Sequence, residues 1–137
     1  YDAVTYDQAD IRAEAAAFAD FTAEAVKGYG LDPAWTTFLG YSNGANLLGA
    51  ILRLHPGVVA RAILLRGIEV LEAPPATDLT GTRALLLSGA RDPFARMAPA
   101  LEDALEAGGA DLDARVIEAG HELTAADLEI AKDWIGA

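Results

Sequence analysis

Apolar positions recur at helical spacing from about Asp7 to Lys27, where Ile11, Ala15, Phe18, Thr22 and Ala25 share one face. Asp7 and Asp10 suit the first turn of that helix, Gly28 and Gly30 its end, and Pro33 the start of the next turn. The pattern then changes. "WTTFLGY", residues 35–41, is β-branched and aromatic and predicts a strand. From Asn43 to about Leu54 a second helix follows, with Leu47, Leu48, Ile51 and Leu52 on its buried side and His55-Pro56-Gly57 as its stop. "ARAILLRG" has an unbroken apolar centre, Ile63-Leu64-Leu65, which suits a strand covered on both faces of a parallel sheet. The Pro-containing stretch "EAPPATDLTG" connects it to a third strand, "RALLLSG". A helix from Phe94 to Ala107 then carries Met97, Leu101, Ala104 and Leu105 on one side, and Gly108-Gly109 ends it. "LDARVIEAG" is the fourth strand. Thr124-Ala-Ala-Asp127 resembles a capping box opening the last helix, with Leu123 and Leu128 placed for a hydrophobic staple. Trp35 and Trp134 fall at expected core positions.

Helix and strand alternate throughout, which predicts a three-layer α/β sandwich with a mainly parallel sheet of about four strands and four helices in one domain. The longest irregular connection, Gly67 to Gly81, is too short for a helical lid, so any site should be open.

Composition narrows the function. The 137 residues include 21 acidic and 10 basic ones, a formal net charge of -11. Nucleic acid and anionic membrane surfaces would be repelled, so neither is an expected partner. No apolar run reaches the ~18 residues of a membrane span, and we expect a cytoplasmic chain. There is no cysteine and only two histidines, His55 and His121. That excludes disulfides, thiolate metal sites and a cysteine nucleophile; neither a metal nor a cofactor is expected. His55 reads as the surface end of a helix.

The chemistry lies at the strand ends. Parallel α/β sheets bind ligands beyond the carboxyl ends of their strands, and three such ends carry Ser42, Asp92 and His121, in that chain order. Ser42 sits in Gly40-Tyr41-Ser42-Asn43-Gly44, a G-x-S-x-G pattern between strand and helix. A hydroxyl needs an adjacent base, which His121 supplies, because imidazole titrates near neutral pH. Asp92 would hold the imidazole in the right tautomer. Glu118 also lies near a strand end, but it precedes His121 by only three residues and is badly placed to support it. Gly40 and Gly44 would let strand and helix backbones approach at a strained turn. The Asn43 N–H, at a helix N-terminus, is the expected oxyanion donor. Tyr41 flanks the nucleophile, and Arg66, Ile68 and Leu71 follow the second strand; all four are candidate substrate contacts.

"LGYSNGAN" together with "GHELT" resembles the α/β-hydrolase superfamily, and within it the small lidless serine carboxylesterases of the phospholipase/carboxylesterase and dienelactone-hydrolase-like group. The resemblance covers nearly the whole chain. It implies an α/β-hydrolase-type sandwich that hydrolyses small esters through an acyl-enzyme, with Ser42, Asp92 and His121 in the three catalytic roles. Dienelactone hydrolases proper use cysteine, and Ser42 departs from them. Such hydrolases also begin with further strands and an "HG"-type loop supplying a second oxyanion donor, which this sequence lacks, a difference of roughly 60 residues at average element lengths. The expectation is therefore an N-terminally incomplete domain whose first strand is an exposed apolar edge, covered by self-association or by a missing segment. Two alternatives remain open: a weak or inactive hydrolase-like module with an assembly or ligand-binding role, and a thioesterase.

Overall fold

The structure is a computed structural model, and it describes residues 6–73 and 75–137. Its centre is a four-stranded, fully parallel sheet in the order β1-β2-β3-β4, formed by Thr37–Tyr41, Arg61–Leu65, Arg83–Gly89 and Asp111–Ile117. Four helices surround it: α1 (Gln8–Tyr29), α2 (Asn43–Leu54), α3 (Ala98–Ala107) and α4 (Ala125–Ile135). The expected fold class is the one observed.

Alternation along the strands builds the three layers. Ala62, Leu64 and Leu86 point to one face, where they pack with Ala45, Leu48, Ile51 and Leu52 of α2 and Leu101 and Leu105 of α3. Ala15 of α1 joins the same cluster, and Phe18 meets Phe38 edge-on at 6.1 Å between ring centroids. Ile63, Leu65, Leu85 and Leu87 point the other way, onto Ala131 and Trp134 of α4. β2 is buried at all five residues because it lies between two strands and beneath helices on both faces. β1 is an edge of this sheet, and Leu39 on it is 56% exposed.

Several details differ from expectation. Gly28 lies inside the last turn of α1, and Gly30 (φ 65°) alone forms the left-handed cap. The helix expected from Phe94 splits into a 3-10 turn, Ala95–Met97, before α3. Pro99 explains the break: deeper in one continuous helix it would remove a hydrogen bond and clash with the carbonyl four residues earlier, whereas here it sits in the first turn. Trp134 is buried, but Trp35 is 75% exposed, on the 3-10 turn Pro33–Trp35 beside the sheet edge. The capping box at Thr124 forms, while Leu123 and Leu128 are both exposed, so a staple there buries little.

Candidate active site

The sheet brings three loops to one rim. Hydrogen bonds continue the ladder past the strand ends, from Ser42 N–H to the Leu65 carbonyl (2.9 Å), Arg66 N–H to Leu87 (2.8 Å) and Ala90 N–H to Ile117 (2.8 Å). The chain segments leaving all four strands therefore start at one level.

Ser42 is in a conformation that residues with a Cβ rarely adopt, φ 55° and ψ -115°. Backbone crowding at Gly40 accompanies it: a Cβ there would lie 2.6 Å from the Gly44 carbonyl carbon. Gly44 itself would tolerate a Cβ, which would meet nothing within 4 Å. The expected need for two glycines thus reduces to one, because the close approach is of Gly40 onto the backbone of Gly44. A similar approach closes the other side of the site, where a Cβ on Gly89 would sit 2.6 Å from the Ala119 carbonyl oxygen.

The three side chains form one chain of hydrogen bonds. Ser42 Oγ is 2.8 Å from His121 Nε2, and His121 Nδ1 is 2.8 Å from Asp92 Oδ2. A carboxylate accepts, so the proton belongs on Nδ1, which leaves Nε2 to accept from the serine hydroxyl. Asp92 is 8% exposed, and its other oxygen accepts from the Phe94 N–H at 2.9 Å, fixing the carboxylate plane. The His121 ring lies between Tyr41 and Phe94, each 5.6 Å away between centroids. Glu118 instead pairs with Arg91 at the surface.

Asn43 opens α2, whose first intrahelical bond runs from Asn46 N–H to the Ser42 carbonyl (2.9 Å). The amides of residues 43–45 precede that bond and face outward from the helix start, next to Ser42. A cleft of about 50 Å³ beside Ser42 is lined by Asn43, Asn46, Ile68, Phe94 and His121 among others. It adjoins a groove of about 310 Å³ whose lining includes Asp10, Ile11, Glu14, Leu47 and Val70.

The candidate substrate contacts divide. Ile68 borders the cleft. Leu71 does not; it is buried with Ala50, Ile68 and Val70, because the connection after β2 folds back onto α2. Arg66 touches the cleft wall, but its guanidinium is turned under the His121 loop and bonded to Gly120, Glu122 and Asp127. The Tyr41 hydroxyl donates to the His121 carbonyl (3.0 Å). Asn46 and Phe94 are neighbours of the site that the sequence reading missed. Asn46 is buried, and its Oδ1 accepts from the Ile68 N–H (2.9 Å), tying the helix to the cleft wall. Its signal was an amide on the apolar side of a helix one turn after the serine.

The backbone is shared with solved enzymes. It matches a carboxylesterase from Mesorhizobium loti with a TM-score of 0.94 and 47% identity, over 97% of this chain and 64% of that one. The fold is that of an α/β-hydrolase. A Bacillus cereus carboxylesterase has the same hydrolase fold, with a TM-score of 0.89 and 26% identity, over 96% of this chain and 63% of its own. In sequence the chain is 28% identical to MhqD of Bacillus subtilis over 94% of its length, and 28% identical to esterase YpfH of Escherichia coli over 73%. It spans 66% and 44% of those two proteins. No protein-family profile matches it. Among the described residues, no helix of this α/β-hydrolase fold is long and apolar enough to cross a membrane.

Proposed function

We propose that this chain carries the catalytic centre of a serine carboxylesterase acting on small, uncharged esters. The observation that carries the reading is the continuous relay from Ser42 through His121 to Asp92, with both links at 2.8 Å and the serine on a strained turn. Similarity to carboxylesterases from Mesorhizobium loti and Bacillus cereus supports the reaction class.

In this mechanism Ser42 Oγ attacks the ester carbonyl carbon while its proton passes to His121 Nε2. Asp92 stabilises the imidazolium that forms. The carbonyl oxygen becomes an oxyanion and takes a hydrogen bond from the Asn43 N–H. Collapse of the tetrahedral species breaks the bond to the alcohol oxygen, which leaves with the proton from Nε2. Water, deprotonated by His121, then attacks the acyl-serine, and the acid departs as Ser42 recovers its proton. No cofactor takes part in any of these steps. A net charge of -11, with Asp10 and Glu14 on the neighbouring groove, disfavours anionic substrates.

The test is intact mass after incubation with a fluorophosphonate. One adduct on the native chain and none on Ser42→Ala supports the reading. Absence of an adduct on folded native chain sinks it and favours the inactive module. Rates on matched oxygen esters and thioesters decide between esterase and thioesterase.

A further inference from the structure

The relay leaves a buried ion pair without a task. Arg66 and Asp127 have fully enclosed side chains, joined by a two-pronged contact of 2.7 and 2.9 Å. Arg66 also adopts a positive φ of 59°, an arrangement that persists where the surroundings over-determine it.

What the guanidinium holds is specific. Its Nε donates to the Gly120 carbonyl (2.9 Å) and an Nη to the Glu122 carbonyl (3.1 Å), on either side of His121. The His121 carbonyl between them accepts from the Tyr41 hydroxyl (3.0 Å). Three consecutive carbonyls are thus held by side chains from the ends of β1 and β2, which are paired strands. The segment they hold, residues 118–123, is neither helix nor strand; its backbone is tied at Ala119, whose carbonyl accepts from the Arg91 N–H (2.9 Å), and the carbonyls at and around His121 are held by these side chains.

We infer that Arg66, fixed by Asp127 and assisted by Tyr41, is a positioning residue that sets His121 against Ser42. The inference rests on the serine-esterase reading above. Arginine suits the task because its rigid fork offers five donors in one plane; the ammonium of lysine offers three from a single point. Asp127 remains an anion at neutral pH. Burial works against its charge, but the Arg66 guanidinium and the amide and hydroxyl of Thr124 outweigh that and hold its carboxyl below the usual range.

Fluorophosphonate labelling of Ser42 separates binding from bond formation when rates are followed against reagent concentration. Arg66→Lys keeps a cation beside Asp127 and should lower the bond-forming rate constant about 10- to 100-fold, since small misplacements of catalytic groups cost that much. The reagent-binding constant should stay within about threefold, because it depends little on the base. Tyr41→Phe, at a partly exposed site that should not endanger folding, should lower the same rate constant by a smaller factor. Wild-type rate constants in both variants overturn the positioning role while leaving the esterase reading intact. Loss confined to the binding constant overturns it too. If Arg66→Lys does not fold, Tyr41→Phe decides alone, a wild-type rate constant counting against the clamp. A native chain that takes no label overturns the esterase reading and the inference together.

Discussion

Two arginines of this fold reach beneath loops and fork onto a carboxylate, and they differ in what the loop carries. Arg53, near the end of α2, meets Glu69 through both Nη atoms, one contact being 2.8 Å. Glu69 in turn accepts from the Leu71 N–H (2.9 Å), so this pair pins the connection between β2 and β3. Arg66 meets Asp127 in the same two-pronged manner, but its remaining donors go to the loop of His121. A buried ion pair is by itself weak grounds for stability, because desolvation offsets much of the attraction. The informative part is the further partner. Arg53 spends its spare donor within its own helix, on Gly49 (3.0 Å), and Arg66 spends two on carbonyls flanking the proposed base.

The contrast breaks if both variants behave alike. Arg66→Met leaves a buried, unpaired carboxylate and should cost about 3–5 kcal/mol of unfolding free energy. Labelling of Ser42 per folded molecule should fall with it. Arg53→Met should cost somewhat less, about 2–4 kcal/mol, because Glu69 is 13% exposed and keeps some hydration. Its labelling per folded molecule should be unchanged. Denaturant unfolding monitored with the labelling assay checks both, and equal losses of reactivity would erase the distinction. Gly40→Ala probes site geometry through crowding rather than charge. Its new Cβ meets backbone atoms at 2.6 to 2.7 Å, so the turn must shift, at about 1–3 kcal/mol and with a loss of Ser42 labelling. Unaltered labelling in Gly40→Ala would mean that the strained turn is not needed for reactivity.

The layers were legible in the sequence because burial repeats with the period of each element. Leu48, Ile51 and Leu52, or Ile63 to Leu65, announce their faces without help from the rest of the chain. Ser42, Asp92 and His121 were legible for another reason: a parallel sheet sends its carboxyl ends to one rim, so topology alone gathers the residues just beyond them. The clamp was not. Arg66 lies 61 residues from Asp127, and no local pattern says which way a side chain after a strand will turn. Its backbone conformation, which sends the guanidinium under the loop, is one that sequence assigns by default to glycine. Trp35 misled because an aromatic residue opening a strand-like run reads as core, while here it falls on the 3-10 turn before an edge strand and is exposed. The β1 edge itself was anticipated, and it gives a prediction about assembly. If a second copy pairs there, sedimentation should detect a dimer that Leu39→Lys, a charge on the edge strand, disperses. A concentration-independent monomer would remove self-association from the picture.

The smallest effect concerns acid, and it distinguishes a buried carboxylate from an exposed one. Asp127 and Asp113 both have their carboxyls held below the usual range. For Asp127 burial opposes the Arg66 and Thr124 contacts and loses to them; for Asp113 the Arg115 hydrogen bond leads, with burial against it. A folded-state value below the unfolded one stabilises above the unfolded value of 3.8, and that stabilisation is lost as pH falls through the folded value. The unfolding temperature of native chain should therefore exceed that of Asp127→Asn by a constant margin from about pH 7 to 5, narrowing below about pH 4. Asp113 lies on an exposed edge strand with its side chain 38% accessible and its partner 49%. Water and salt screen that pair, so Asp113→Asn should shift stability by less than about 1 kcal/mol, and less again in high salt. If Asp113→Asn matched Asp127→Asn, enclosure would not be what gives the Arg66 pair its weight.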